Sequence, residues 1–315
     1  MLKSSLPELS VVLSTGALHH RTMGCLEGVF AQQGIEECEV IVVDGSAGDH
    51  SDFYGRFPGL RYVHVAERTP DGEARLEGAR IARAPIVAYI EDHAKPRSGW
   101  LAAVRRAFAR SDKIAVVNYA IGQEPEAGYI HRSMQLMFYG HWMEPVPTGP
   151  IRYSAQQNVA YRRDLLLDVC QNQSELLETE YLVHRRLLAD GWTLWLESDA
   201  VVLHECFTDF RSGARGFNAL RQVMGATRAQ LGGWPQWKRW LWAGGMLLTP
   251  FQLIGRLVGS IAPRPALWRD FVLGLPLIVA AHSLGAVSEA RGYVLGFGQS
   301  RDDFLEMERY AKRVV

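Results

Sequence analysis

Glu91, Asp92 and His93 follow directly on the apolar run Ile86-Val87-Ala88-Tyr89-Ile90. Two carboxylates and an imidazole in succession can ligate a divalent cation. Such a set suits Mn²⁺ or Mg²⁺, and an ion of that kind suits a diphosphate. A short apolar run bounded by Pro85 and by charge reads as a buried strand of a largely parallel sheet. Open α/β sheets bind ligands beyond the carboxyl ends of their strands, where this triplet falls. Neighbours in an extended strand face opposite ways, so all three side chains reach one ion only if the chain turns at Asp92. Alone, the triplet reads more readily as a solvated acidic strand end with a His beside it.

The elements needed to position such a triplet are present. Short β-rich runs alternate with helical patterns, the signal for βαβ units. Strands are expected at 10–14, 39–44, 60–65, 86–90 and 114–119, with helices at 22–33, 72–83 and 98–110, the last capped by Ser98. Asp44-Gly45-Ser46 is expected to lead into a short helical stretch. Residues 122–150 read as a looser, Pro- and Gly-containing region. A strand at 157–161 and a helix over 174–190, ending at Gly191, come next. Short strands at 193–196 and 200–204 complete this part.

The chain has 315 residues, enough for one large α/β domain with an appendage. Lys+Arg and Asp+Glu both number 34, so the basic excess of a nucleic-acid binder is missing. Cys25, Cys38, Cys170 and Cys206 are scattered without metal-ligand spacing. With no apolar leader in Met1–Ser10, they are expected to be reduced cytosolic thiols.

The last third differs in kind. Trp234, Trp237, Trp240 and Trp242 cluster beside Lys238 and Arg239, and two uncharged runs follow, 241–255 and 271–288. Each is shorter than, or at the edge of, the roughly 20 apolar residues that span a bilayer. Indoles and cations on their flanks favour a membrane interface. The expectation is peripheral or shallow insertion at the cytoplasmic face of the inner membrane, with domains at 1–215 and 216–315.

Ser10-Val-Val-Leu-Ser14, Glu39-Val-Ile-Val-Val-Asp44-Gly45-Ser46, Gly72-Glu-Ala-Arg75 with Gly78, and Ile90-Glu91-Asp92-His93 come in a telling order. They resemble the nucleotide-sugar half of family-2 glycosyltransferases of GT-A fold, a Rossmann-like, mostly parallel mixed sheet. Gln157-Asn158-Val-Ala-Tyr-Arg162-Arg163 resembles that family's acceptor-side segment. Glu178-Thr179-Glu180 ahead of Arg186-Leu187 and Gly191-Trp192 resembles its Glu-Asp catalytic motif. His204 falls where the family often has a His. The resemblance covers about residues 8 to 215. It departs from the family at Glu-Asp-His for Asp-x-Asp, at one missing Asp in the turn after β-strand two, and at Glu for Asp in the base position.

The resemblance implies a metal-dependent, inverting transferase that moves a sugar from a nucleoside diphosphate, UDP favoured, to a hydroxyl acceptor that is lipid-linked or part of a cell-envelope glycan. Asp44 would accept from the ring N–H of uracil, and Ser14 and Thr15 would line the same pocket. Arg75 would contact the diphosphate, since guanidinium pairs bidentately with phosphate oxygens. Glu91, Asp92 and His93 would surround Mn²⁺ or Mg²⁺, with His93 a direct ligand, Asp92 acting directly or through water or ribose, and His204 a further ligand or a donor to the β-phosphate. The ion's work would be Lewis-acid stabilisation of the leaving diphosphate. Glu180, with Glu178 as the alternative, would deprotonate the acceptor. Asn158 would position sugar or acceptor hydroxyls, and Arg211 and Arg215, in a Gly-containing loop, would close over the diphosphate. Two rivals are a non-catalytic membrane-attached sugar-binding protein and a sugar-phosphate nucleotidyltransferase. The latter would want a Gly-rich basic loop after the first strand, where 14–21 has one Gly.

Overall fold

The computed structural model describes residues 6–123, 127–207 and 209–310. Met1–Ser5 of the expected leaderless N-terminus and Glu124–Glu126 of the loose central region lie outside these. Contacts group the chain into two units, one running to Gly122 and resuming over Glu144–His204, the other comprising Gln123–Met143 and everything from Glu205. The second unit thus takes a central segment that the sequence-based division at residue 215 assigns to the first.

The first unit is built on β-branched runs that are apolar on both faces, as a covered parallel sheet requires. Its strands are β1 (Ser10–Thr15), β2 (Glu39–Asp44), β3 (Arg61–His64), β4 (Ile86–Tyr89), β5 (Ala94–Pro96), β6 (Ile114–Gly122), β7 (Gly149–Ile151), β8 (Val159–Arg162) and β9 (Thr193–His204). They form one sheet in the order β3-β2-β1-β4-β8-β6-β9-β5, with β7 also on β9. β1 pairs in parallel with both β2 and β4, and β8 runs antiparallel between β4 and β6. The strand order reverses at β1, and the crevice there opens at the ends that carry Thr15, Asp44 and Glu91. Helix Asp71–Ile81 lies on this sheet through Gly78, where a Cβ would collide with Val12.

Four local expectations change, the first being that the strands expected at 193–196 and 200–204 are one, β9. The helix expected from Ser98 starts at Trp100, after Gly99 at φ +87°, with no side-chain cap. Within the loose region, Tyr129–Tyr139 is helical, because its apolar residues fall at helical spacing. The helix expected over 174–190 is two pieces, Glu175–Glu178 and Tyr181–Ala189. Thr179 and Glu180 occupy the break.

In the second unit, helices Phe210–Leu231 and Trp268–Leu295 pack through glycines: a Cβ at Gly225 or Gly292 would strike the partner helix's backbone. Glu289, buried between them, is held by Arg221 at 2.5 Å, by Arg228, and by the Tyr293 hydroxyl at 2.8 Å. Gln236–Ile261 and Pro265–Leu295 are two helical stretches long and apolar enough to cross a membrane by length and composition.

Candidate active site

The site assembles at the carboxyl end of the sheet because pairing across strands brings distant side chains together. Ala94 of β5 pairs with His204 of β9 in antiparallel register, which sets His93 beside His204. Their rings lie 4.6 Å apart. Ala88 of β4 pairs with Ala160 of β8, so Asn158, just before β8, meets Glu91, just after β4. The Asn158 amide donates to Glu91 Oε2, and its carbonyl oxygen accepts the Glu91 N–H at 3.1 Å.

Glu91, His93 and His204 offer one donor atom each within 4.8 Å of one another. His204 Nε2 lies 2.8 Å from Glu91 Oε2, and His93 Nε2 lies 4.0 Å from Glu91 Oε1. Burial pushes the Glu91 carboxyl up, but His204 and His93 outweigh it and bring it down to about 2. An anionic oxygen facing two imidazoles fits a divalent ion, and two nitrogens favour Mn²⁺ over Mg²⁺.

Asp92 is outside this cluster: it lies in the turn closed by the Ala94 N–H on the Glu91 carbonyl, and its carboxylate faces Arg21. Its carboxylate is paired with Arg21 at 2.6 Å and lies 2.8 Å from His93 Nδ1. Arg21 also lies 2.6 Å from that nitrogen, but it can only donate. Nδ1 thus faces a donor and an acceptor; in the tautomer that directs its proton from Nδ1 to Asp92, Nε2 keeps a lone pair for an ion, the usual carboxylate–histidine support of a metal ligand. Burial raises the Asp92 carboxyl, while Arg21 and His93 hold it well below the ordinary range.

Asp44 ends β2 with both oxygens engaged: Oδ1 accepts the Ser46 N–H at 2.8 Å and Oδ2 the Tyr62 hydroxyl at 3.0 Å. Tyr62 stacks on Tyr54, whose hydroxyl is 2.9 Å from His19 Nδ1. Ser14 donates to Asp71 at 2.9 Å, and the Thr15 hydroxyl lies 2.6 Å from that of Thr22. Both hydroxyls expected to line a nucleotide pocket are thus occupied by neighbouring side chains.

Arg75 is placed differently from expectation. It is buried, ion-paired with Asp71 at 2.7 Å and with Glu180, and it also donates to the Leu177 carbonyl. A guanidinium so enclosed is a core cation between helix Asp71–Ile81 and the Thr179–Glu180 break, not a diphosphate clamp. Glu180 is fully buried, and its second oxygen accepts the Gln157 N–H at 2.9 Å. Burial pushes its carboxyl up from the ordinary value, and Arg75 opposes this. Glu178 keeps part of its surface at the end of helix Glu175–Glu178. Asn158 is likewise corrected: its amide is spent at both ends on Glu91. Arg211 and Arg215 lie on helix Phe210–Leu231 of the second unit rather than in a loop, and Arg215 pairs with Asp303 at 2.7 Å.

Arg21 and Tyr62 are absent from the sequence-based site. Arg21 sits in a run, Leu18-His19-His20-Arg21, that carries no motif, and Tyr62 reads as an ordinary strand aromatic. The signal available for Arg21 was its position in the first turn of the helix after β1, facing the sheet switch point.

A curled mixed sheet with a reversed central strand and a ligand cluster at its carboxyl edge defines the GT-A fold. Residues 21–169 match the model of Glycosyl transferase family 2, so the resemblance carried by the motifs is to that family. Pre-mycofactocin glycosyltransferases of two Mycobacterium tuberculosis strains are relatives, each 26% identical over 202 residues. The match takes in 61% of this chain and 42% of the relative, so the chain spans less than half of that protein's length. Among solved structures, the mannosyltransferase PcManGT from Pyrobaculum calidifontis, in complex with GDP-Man and Mn²⁺, is similar at TM-score 0.55 and 17% identity, over 93% of this chain and 88% of that one. TarS 1–349 from S. aureus is similar at TM-score 0.51 and 14% identity, over 96% and 90%.

Proposed function

We propose that this protein is a metal-dependent, inverting glycosyltransferase that uses a nucleoside diphosphate sugar, UDP-linked by preference, and a hydroxyl acceptor at a membrane surface. The observation that carries this reading is the Glu91–His93–His204 cluster at the switch-point edge of a GT-A sheet. These three residues would hold Mn²⁺ or Mg²⁺, which supplies Lewis-acid stabilisation of charge on the departing diphosphate. PcManGT with GDP-Man and Mn²⁺, and GalNAc-T7 with UDP, GalNAc and Mn²⁺, support the pairing of nucleotide and ion on this fold.

Around that centre the chain's own residues divide the work. Asp92 and Arg21 orient His93, and Asn158 fixes Glu91 so that its carboxylate faces the imidazoles. Asp44, aimed by Ser46 and Tyr62, accepts from the nucleobase. Glu180 is the proposed base: desolvation raises its basicity in the direction proton abstraction needs, with Glu178 as the alternative. Membrane attachment draws support from the two apolar helical stretches and from Trp237, Trp240, Leu247, Leu248 and Phe251, all exposed.

The test is the melting shift with UDP and with GDP, each with and without Mn²⁺, followed by turnover of UDP-sugars. A ligand at about 100 times its Kd stabilises the folded state by about 2.7 kcal/mol. A Mn²⁺-dependent shift with UDP and not GDP is expected. No shift with either nucleotide would leave a GT-A scaffold without a donor site.

A further inference from the structure

The second unit holds two adjoining cavities lined by none of the residues to which the proposed function gives a part in metal binding, nucleotide binding or proton transfer. One is an apolar groove of about 580 Å³ walled by Trp240, Phe251, Ile254, Val279, Val287 and Val294. The other, of about 650 Å³, is polar and walled by Arg211, Arg215, Asn218, Gln222 and Asp303. Arg291, near the end of helix Trp268–Leu295, lines both. Asp303 is taken up by Arg215. Among the described residues, no carboxylate lies in ion-pair range of Arg291, while Arg211 on the same cavity wall is offset in part by the neighbouring Asp209.

The surroundings grade from apolar to interfacial along the same helix. Leu247 and Phe251 on the groove wall are 76% and 77% exposed, a state water disfavours and hydrocarbon satisfies. Tyr293, two residues beyond Arg291 on the same helix, stacks on Trp234 at 5.5 Å, and Lys238 sits 4.4 Å over the Trp234 ring. Indoles and cations gather at the headgroup level of a bilayer. Arg291 therefore stands where hydrocarbon would give way to headgroups.

We propose that the two cavities form one site for an anionic lipid, its hydrocarbon chain in the groove and its phosphate on Arg291 and Arg211. The match is chemical at both ends: apolar walls take the chain, and guanidinium groups take phosphate oxygens through paired N–H donors. The inference rests on the membrane-attachment part of the function proposed above and adds headgroup selectivity at a defined place. It accounts for Arg291 on the wall of a groove lined chiefly by aliphatic and aromatic side chains.

Flotation of the full chain with vesicles of phosphatidylcholine, alone or with phosphatidic acid added, tests it. Binding to both is expected, tighter with phosphatidic acid. Arg291→Ala with Arg211→Ala should remove about 10- to 30-fold of the anionic preference, at roughly 1 kcal/mol per cation, and leave binding to phosphatidylcholine unchanged. Arg291→Lys should keep part of the preference. Val287→Trp, at an exposed groove position, should weaken phosphatidic acid binding without unfolding the chain, as circular dichroism would check. If inorganic phosphate or glycerol phosphate displaces the protein as well as phosphatidic acid does, the groove takes no chain and the proposal fails. Equal binding to both vesicles, or a preference that survives the double variant, overturns it while leaving membrane attachment intact. Binding to neither overturns both.

Discussion

His93 and His204 face each other 4.6 Å apart because Ala94 and His204 are register partners at the β5–β9 edge. The register does what sequence proximity cannot: it joins an imidazole from the strand-end triplet to one from the last strand of the sheet. With Glu91 between them, the pair makes a donor set from three positions on two strand ends.

His93→Ala and His204→Ala should each cut Mn²⁺ affinity by more than about 100-fold, since each removes one of three protein donors. Isothermal titration with Mn²⁺ reads this directly. Unchanged affinity in both variants would place the ion elsewhere.

Asp92→Asn should weaken Mn²⁺ binding by about 10–100-fold, as loss of a carboxylate partner does for other metal-bound histidines. Arg21→Ala should act mainly on stability, by about 3–5 kcal/mol, because it leaves the buried Asp92 charge unpaired. Denaturant melts separate the two effects. A ligand role for Asp92 would instead show Asp92→Asn as severe as His93→Ala.

Glu180→Gln should lower kcat by about 10²–10⁴-fold while the fold survives, if Glu180 is the base. Arg75→Ala should unfold or strongly destabilise the chain, since Arg75 neutralises both Asp71 and Glu180 inside the protein. Full activity in Glu180→Gln, with loss in Glu178→Gln, would move the base to the half-buried carboxylate.

Glu39 gives a pH signature away from the site. Burial raises its carboxyl, but the Arg83 N–H, Ser10, Arg61 and the Arg83 side chain outweigh this and bring it down from 4.5 to about 2. A depressed folded pKa contributes stability that is complete above the unfolded value and lost as pH falls from about 4.5 towards 2. Glu39→Gln should therefore lower Tm at pH 7, by about 5 °C, and lower it less at pH 3. A Tm difference independent of pH would mean that the charge is not what holds β1, β2 and β3 at this point.

Much of this was legible in the chain itself. β2 falls where its Val-rich run places it, and Gly191 takes the left-handed turn after its helix at φ +82°. The triplet sits at a strand end because apolar periodicity and charge mark that boundary locally. Residue type and order along the chain therefore determined the α/β class, the resemblance to family-2 glycosyltransferases and the neighbourhood of the site. Tertiary structure decided which side chains are available for chemistry. Arg75, which read as a phosphate contact, is spent in the core on Asp71 and Glu180. Asn158 is consumed by Glu91, and Asp92 turns from the metal cluster to Arg21. These outcomes depend on strand register and on helix-to-sheet distance, set by Gly78 against Val12 and by Ala94 against His204. A buried charge takes the nearest opposite charge that packing offers, and that partner is a property of the folded chain.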